Sequence, residues 1–420
     1  MNTRIALLST SFILLGGLLS ACNMLIPLKE APVTGEFGMT FSEKEHQTRT
    51  FESLWKHIED SYIYYDSAEV DWDALHKEYQ AKIASGLTDE QFSSLLKDLD
   101  KKLPEGSLVY QSRADRIQTD MADLTTYDGI GAFIGFEEKA KPHIVILDVI
   151  SGSPAEKAGL RAHDSIFGID GSPILLEEGL SASDRIRGPV GSSVTLDVKT
   201  PGKPERSVKV ERGKLTSTGK LEVYNVTGTN YGYLLFPPLG YQGLDQDVFN
   251  GLQSLATNRK LAGLVLDLRI TNSSADWPVD ALLTLFGNGK IGEIYSRSEN
   301  QPLEIEGQDV IGSQTMPLVI LVGQNTKGFA EIFAASLQAS QRAVIVGEPT
   351  TGEVETQSSF YLPDGSRMFL QSASFRLSNG DELGMTGVVP DLLIPAGWDQ
   401  VLPNEDPVVD QAIQILGSLK

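Results

Sequence analysis

The sequence predicts an α/β protein with three parts: a helical N-terminal segment, a small α+β domain, and an α/β core with a mixed, largely buried sheet. Three observations support this fold class. Apolar residues recur at helical spacing in residues 42–127, short β-branched runs and glycine turns fill residues 128–213, and strand-like and helix-like stretches alternate beyond them. With 420 residues, of which 41% are hydrophobic, the chain is long enough for several globular domains.

The first 22 residues predict export and lipid attachment. Arg4 gives a short basic start, an apolar stretch runs from Ile5 to Leu19, and small residues precede Cys22, the only cysteine. This order is typical of a secretory signal peptide. It also resembles a bacterial lipobox, whose cysteine carries diacylglycerol after cleavage; an ordinary signal peptide with a chance cysteine is the alternative. We expect a protein of the cell envelope, lipid-anchored outside the cytoplasm on a periplasmic or outer membrane face, with residues 23–41 as a tether.

Residues 42–127 predict the helical segment. Phe51, Leu54 and Ile58 recur at helical spacing, and Asp71 is placed to cap a second helix. Thr88, with Gln91 three residues later, forms the capping-box pattern of a third helix. The aromatic residues here are interpreted as core.

Charge and motif content exclude several functions. The chain carries 35 basic and 56 acidic residues, a net charge of −21, which would repel a phosphate backbone, so we predict no nucleic-acid partner. The five histidines are scattered without metal-ligand spacing, and no phosphate-binding loop of the P-loop kind occurs. The sequence therefore predicts neither a metal nor a cofactor.

Residues 128–213 carry glycine motifs in a distinctive order. Ser153 is placed to cap a short helix with Pro154 at its first position, and Gly159 ends it. Together with Gly129-Ile130-Gly131-Ala132 and Gly188-Pro189-Val190-Gly191, this order resembles a circularly permuted PDZ domain of the protease-associated type. The resemblance implies that the Gly129–Ala132 loop binds a peptide carboxylate while the peptide adds a strand to the sheet edge. A packing domain without a ligand is the alternative.

Residues 214–400 predict the α/β core, and residues 401–420 a C-terminal helix or tail. Nearly continuous apolar strands, such as Leu318–Val322, indicate a sheet covered on both faces. The chain from about Phe51 to Pro395 resembles the C-terminal processing (tail-specific) serine peptidases of family S41. The residues that carry this resemblance are Leu264–Arg269, Pro317–Val322, Glu331-Ile332, Arg342–Thr350, Leu362–Ser366 and Gly387–Asp391.

The resemblance implies a serine nucleophile and a lysine base, and this chain replaces both. The serine position, three residues before Glu331, is Gly328, and the lysine position, after Gly347–Gly352, is Glu353. The family's separation of 25 positions supports this register, and Gln357 matches the glutamine that supports the lysine. Glycine has no hydroxyl for attack, and a carboxylate repels a developing oxyanion.

Two further replacements affect the same site. The family's Asn-Asn-Pro-Gly-Gly run, whose glycines help to form the oxyanion hole, is Ile270–Ser274 here, with Ser273 and Ser274 in the glycine positions. The family's Asp-Pro-His-Thr run is Glu105–Leu108. Both changes argue against the family's chemistry.

Substitute catalytic groups are weighed in two combinations. Thr326 and Lys327 would be a chemically feasible pair, but sequence neighbours point in different directions. Glu331 and Glu353 would be an acid–base pair, with capping or solvated carboxylates as the alternative.

The sequence therefore predicts a pseudoprotease that binds protein C-termini or unfolded polypeptide, with an active relative of the family as a further partner. An active serine-type endopeptidase with non-standard catalytic residues is the main alternative, and a purely structural lipoprotein is another.

Overall fold

The structure is a computed structural model that describes residues 42–104, 106–121, 126–139, 141–216, 219–257, 259–273, 277–384, 386–402 and 405–419. Cys22, the predicted signal peptide and the tether lie outside the described residues, as do Glu105 and Ser274. Within those ranges, no helix has the length and apolarity needed to cross a bilayer.

The N-terminal segment is helical, as predicted. Its elements are α1 (Glu43–Ser61), α2 (Trp72–Ala84), α3 (Asp89–Leu99), β1 (Leu108–Gln111) and α4 (Arg113–Met121). Asp71 caps α2 by accepting the N–H of Ala74, and Thr88 and Gln91 form the capping box of α3; the sequence prediction of both caps is confirmed. The apolar faces of α1 to α3 bury Phe51, Leu54 and Leu96 in one cluster.

The PDZ-like domain follows as a small sheet with short helices. Its elements are β2 (Thr126–Gly129), β3 (Ala132–Glu137), β4 (His143–Val149), α5 (Pro154–Lys157), β5 (Ser165–Ile169), β6 (Ser172–Pro173), a 3₁₀ stretch (Leu176–Arg185), β7 (Ser193–Lys199), β8 (Arg206–Glu211) and β9 (Gly213–Thr216). Ser153 caps α5 with Pro154 at its first turn, as predicted. The main strand order is β3-β4-β5-β7-β8, so β3 forms one edge.

The core contains a mixed sheet covered on both faces, as predicted. Its elements are β10 (Glu222–Asn225), β11 (Tyr231–Leu235), α6 (Leu244–Leu255), β12 (Gly263–Asp267), α7 (Val279–Phe286), β15 (Leu318–Val322), α8 (Phe329–Ala339), β16 (Val344–Gly347), β19 (Leu392–Leu393) and α9 (Pro407–Ser418). The order is β10-β11-β12-β15-β16-β19, parallel except for β10. Leu264 and Leu266 belong to a cluster with α6 to α8, whereas Val265 belongs to a cluster with α9. This division explains why the strands are apolar at every position.

A second, antiparallel core sheet was not part of the sequence prediction. It contains β13 (Gly289–Ser296), β14 (Asn300–Ile305), β17 (Thr356–Tyr361) and β18 (Arg367–Leu377). Strand β1 pairs with β18, with Leu108 opposite Leu370, and both side chains enter the buried cluster of the N-terminal helices. The N-terminal segment is therefore built onto the core. Strand β17 begins Thr-Gln-Ser-Ser, which lacks the alternation of apolar residues that identifies a strand in sequence.

The helix α9 lies within predicted residues 401–420 and is fixed by a buried arginine. The guanidinium of Arg269 donates to Asp267 at 2.6 Å and to Asp406 at 2.7 Å. Asp406 also caps α9 by accepting the N–H groups of Val408 and Val409. The Asp267-Leu268-Arg269 motif therefore has a structural role: it attaches the C-terminal helix to the end of β12.

Candidate functional site

Gly328, which the sequence analysis predicts at the family's serine position, has a backbone conformation that disfavours any side chain. Gly328 is the N-cap of α8, with φ of 67° and ψ of −129°. A Cβ atom built on it would lie 2.3 Å from the carbonyl oxygen of Ser273. Positive φ and this close approach both favour glycine. Residue 328 therefore supplies no nucleophile, and the backbone around it leaves no room for a side chain.

Ser273 fills the space beside Gly328. Its hydroxyl donates to the carbonyl of Lys327 at 2.5 Å and accepts the N–H of Ala330 at 2.7 Å. Its backbone N–H also donates to the carbonyl of Lys327, at 3.2 Å. A hydroxyl is thus present at the site, but its proton points to a carbonyl and not to a base. The N–H of residue 273 is likewise unavailable to an oxyanion, because it is committed to the protein's own backbone.

Glu353, which the sequence analysis predicts at the family's lysine position, forms an ion pair with Lys327. The Nζ atom of Lys327 lies 2.5 Å from Oε1 of Glu353, whose side chain is 55% exposed. The hydroxyl of Thr351 donates to the same oxygen at 3.1 Å. Residue 353 therefore supplies a carboxylate that pairs with a neighbouring amine, and it supplies no amine base of its own.

Glu331 is a structural carboxylate. It is fully buried and accepts hydrogen bonds from the N–H of Gly328 at 3.0 Å, the hydroxyl of Thr350 at 2.5 Å and the N–H of Gly352 at 2.7 Å. Burial raises the pKa of Glu331, while these donors act in the opposite direction. The bond to Gly328 caps α8, which is the capping alternative weighed from the sequence. With three donors on its two oxygens, Glu331 holds Gly328, Thr350 and Gly352 in place, which is a structural role and not that of an acid–base partner of Glu353.

Thr326 is also committed to the backbone. It is fully buried, its hydroxyl donates to the carbonyl of Leu268 at 2.8 Å, and it accepts the N–H of Gly323 at 3.0 Å. The amine of Lys327, in contrast, reaches Glu353. Thr326 and Lys327 therefore point apart, as expected for sequence neighbours, and do not form a nucleophile–base pair.

Gln357 lies outside this group of contacts. Its side chain donates to the carbonyl of Gly106 at 2.9 Å, and among the described residues it makes no hydrogen bond to Glu353. Through this bond Gln357 joins β17 to Gly106. Gly106 belongs to the run that the sequence analysis compares with the family's Asp-Pro-His-Thr run. The structure brings Gly328, Ser273, Lys327 and Glu353 together, but it does not place Gln357 in contact with them.

The predicted carboxylate-binding loop contains backbone N–H groups that make no hydrogen bond within the described residues. Gly131 has φ of 82°, and a Cβ atom there would lie 2.4 Å from Cβ of Ser153, so only glycine fits. The carbonyls of Ile130 and Gly131 accept hydrogen bonds from Ala155 and Ile150 at 2.7 and 3.0 Å. Within the described parts of the chain, the N–H groups of Ile130 and Gly131 make no hydrogen bond, and both residues are buried. Two adjacent N–H groups without a partner are the donors that an anion would use.

The loop leads into an edge strand with exposed apolar residues beside it, a surface that sequence reasoning did not identify. Strand β3 begins at Ala132 and is the free edge of its sheet, as strand addition by a peptide requires. The 3₁₀ stretch 176–185 contacts β3 and presents Leu176 and Leu180, which are 54% and 52% exposed. The signal in the sequence was the apolar Leu175-Leu176 and Leu180 on either side of two glutamates and a glycine.

The edge strand also touches the loop before Gly328. A Cβ atom at Gly135 in β3 would lie 2.4 Å from Oδ1 of Asn325, three residues before Gly328. One face of β3 therefore packs against the loop that leads to Gly328.

Comparison with known proteins gives three family matches. The profile of peptidase family S41 matches residues 230–394, that of a PDZ domain matches residues 145–200, and that of the tricorn protease C1 domain matches residues 43–99. In chain order, the three matches fall in the helical segment, the PDZ-like domain and the α/β core described above.

Relatives that match more than half of the chain include C-terminal processing peptidases. The chain is 28% identical over 392 residues to the chloroplastic C-terminal processing peptidase of Tetradesmus obliquus, covering 88% of this chain and 80% of that protein. It is 32% identical over 282 residues to a carboxyl-terminal-processing protease of a Picosynechococcus strain, covering 62% of this chain and 64% of that protein.

Solved structures share the fold. The photosystem II D1 C-terminal processing protease superposes with a TM-score of 0.64 at 23% identity, covering 90% of this chain and 98% of that one. Mature CPAF superposes with a TM-score of 0.55 at 11% identity, covering 89% and 96%.

Proposed function

Since the chain belongs to peptidase family S41, whose members are serine peptidases, and has Gly328 and Glu353 at the positions predicted for the family's serine and lysine, we propose that it is a pseudoprotease that binds polypeptide C-termini. One observation carries the proposal: Gly328 is packed against Ser273, while the N–H groups of Ile130 and Gly131, just before the edge strand β3, make no hydrogen bond within the described residues. The predicted nucleophile position is filled by the protein itself, whereas the predicted carboxylate donors have no partner in the described part of the protein.

The residues along the edge of β3 indicate the chemistry of the ligand. The adjacent N–H donors of Ile130 and Gly131 favour a free α-carboxylate, and the edge of β3 offers backbone hydrogen bonds that are independent of the peptide's sequence. Exposed Leu176 and Leu180 favour apolar side chains near the peptide's end. Such ligands are C-terminal tails of exported proteins or unfolded segments; an active relative of the family with an accessible C-terminus is a further candidate partner.

Binding is tested with fluorescent peptides from a C-terminal library, each made as the free acid and as the amide. We expect the free acid to bind more tightly by a factor of about ten or more, since an amide loses the charge that the two donors recognise. Gly131→Ala should abolish this preference, because its methyl group would collide with Ser153. Gly152→Ala is the matched control, with a similar φ of 77° and open space around it. Equal binding of acids and amides would contradict the proposal.

The alternative, an active endopeptidase, is tested with the same protein. We expect no turnover of a disordered protein substrate, followed as fragments on a gel over hours. If fragments form, variants at Ser273 and Thr326 identify the responsible hydroxyl. Turnover that disappears in Ser273→Ala or Thr326→Ala would refute the pseudoprotease proposal and establish a new catalytic arrangement.

We also propose that the protein is held outside the cytoplasm by a lipid on Cys22. The proposal rests on the apolar stretch and small residues before the only cysteine. Metabolic labelling with an alkynyl fatty acid should mark the wild-type chain and not Cys22→Ser. Equal labelling of both, or of neither, would remove the basis for an anchor at this residue.

A further inference from the structure

Two residues of the core, Trp398 and Asp399, bind the face of the PDZ-like domain. They lie in a short 3₁₀ helix, Trp398–Gln400. The indole N–H of Trp398 donates to the carbonyl of Ile146 in β4 at 3.2 Å, and its ring packs in a small apolar cluster with Val145 and Leu147. We call this pair the Trp398–Asp399 clasp. It connects residues more than 230 positions apart in sequence.

The first histidine on the clasp has hydrogen-bond acceptors at both ring nitrogens. Nε2 of His143 lies 3.1 Å from Oδ2 of Asp399, and Nδ1 lies 2.8 Å from the carbonyl oxygen of Lys141. A neutral imidazole carries one N–H and satisfies only one of these acceptors, whereas imidazolium donates to both. His143 is also buried, with 5% of its surface exposed, so an ion pair with Asp399 is only weakly screened by solvent. The geometry therefore selects the charged form of His143.

The second histidine has the opposite requirement. Nδ1 of His163 lies 2.7 Å from the carbonyl oxygen of Trp398, and its ring packs against the indole at 4.2 Å between centroids. One N–H suffices for this contact, and the neutral tautomer provides it. The guanidinium of Arg269 lies 5.0 Å from the centroid of the same indole. A second positive charge on His163 would lie close to this buried cation, so the geometry selects the neutral form.

We propose that the Trp398–Asp399 clasp closes in one protonation state, with His143 charged and His163 neutral. The PDZ-like domain then docks on the core most tightly at near-neutral to mildly acidic pH, and the contact weakens on both sides of that range. Because Gly135 in β3 of this domain contacts Asn325 in the loop before Gly328, the position of the edge strand β3 relative to that loop depends on pH.

The pKa directions agree with the geometry. Burial alone would lower the pKa of His143, but the hydrogen bonds to Asp399 and Lys141 outweigh it and raise the pKa above 6.5. Docking energy from His143 is therefore complete below 6.5 and lost as the pH rises through the raised pKa. Burial lowers the pKa of His163, and Arg269 acts in the same direction. Docking energy from His163 is present above 6.5 and lost as the pH falls through the lowered pKa.

Other charged groups face the two histidines and are kept constant in the test. Glu137 on β3 faces His143, and Lys139 and Glu348 lie near Glu137. Burial raises the pKa values of Glu137 and Glu348, so their protonation also favours docking in acid. Around His163 the charged groups are Arg269, Asp267 and Asp406. Since these groups are identical in all variants, differences between variants at one pH report on the histidines alone.

The experiment is hydrogen exchange of the purified full-length protein, read by mass spectrometry on peptides that cover residues 396–400. His143→Gln keeps an amide donor in the Nε2 position but cannot become charged. His163→Asn keeps a donor in the Nδ1 position, and asparagine tolerates the φ of 73° found there. His57→Gln, in α1 and stacked on Phe360, is the control. Comparison with wild type at each pH cancels the pH dependence of intrinsic exchange.

We expect His143→Gln to speed exchange of 396–400 by about three- to tenfold at about pH 6 and little at about pH 8.5, because one pKa unit corresponds to a factor of about ten. We expect His163→Asn to slow exchange at about pH 5.5 by about threefold and to change little at about pH 8. His57→Gln should match wild type throughout. An effect of either clasp variant that is the same at every pH, or no effect at all, would show that the histidines are ordinary contacts and would overturn the proposal.

Discussion

Replacing Gly328 by serine is the change that most directly tests how residue 328 is packed in the site. In Gly328→Ser the new side chain must adopt φ near 67°, a region that costs a non-glycine residue about 1–3 kcal/mol. Its Cβ would lie 2.3 Å from the carbonyl oxygen of Ser273, so that carbonyl must move, at about 1–3 kcal/mol for overpacking. The two effects predict a loss of about 2–6 kcal/mol in the free energy of unfolding.

Urea unfolding followed by tryptophan fluorescence measures this loss. Gly152→Ser is the matched control, because Gly152 has a positive φ of 77° with nothing within 4 Å of a new Cβ. This control should show only the backbone cost, so the difference between the variants isolates the collision with Ser273. Adding Ser273→Gly to Gly328→Ser should recover part of the loss, since glycine lets the carbonyl turn away.

The same series tests catalysis. In Gly328→Ser/Glu353→Lys both family residues are present, but the introduced lysine would stand beside the ammonium of Lys327, which in the wild-type protein pairs with Glu353. The ammonium of Lys327 would favour the neutral form of the introduced lysine, but the N–H of residue 273 stays committed to the carbonyl of Lys327 and is not available to an oxyanion. We expect no cleavage of a disordered substrate. A Gly328→Ser protein as stable as Gly152→Ser, or a double variant that cleaves, would refute the account of a site repacked around Gly328.

Three further predictions follow from single contacts. Thr326→Val should lower the free energy of unfolding by about 1–3 kcal/mol, because it leaves the buried N–H of Gly323 without a partner and removes one of the two donors to the carbonyl of Leu268; an unchanged urea midpoint would contradict this. Gly135→Leu should speed hydrogen exchange of residues 323–327, because its side chain would displace Asn325; exchange equal to wild type would show that β3 does not press on this loop. Asp406→Ala should cost about 3–5 kcal/mol, because Arg269 loses a buried partner and α9 its cap; a loss below about 1 kcal/mol would make the network unimportant.

Local features of the fold were accessible from sequence because they depend on neighbours along the chain. The caps at Asp71, Thr88 and Ser153 need only residues three positions apart, and all three are confirmed. The doubly covered sheet was also predictable, since strands such as Leu318–Val322 are apolar at every position. The antiparallel sheet was missed because β17 is polar and joins β18 only through pairing across a turn.

For the candidate site, the sequence by itself predicted that Gly328 and Glu353 stand in the family's catalytic positions, because the separation between them is a property of the chain. It did not determine what fills the space they left. The contacts that fill it join residues far apart in sequence. They are the approach of the Ser273 carbonyl to Gly328, the Lys327–Glu353 ion pair and the hydrogen bond from Gln357 to Gly106. The contacts of the two histidines with Trp398 and Asp399 are of the same kind. Only tertiary structure decides such contacts, because local periodicity carries no information about which distant groups meet.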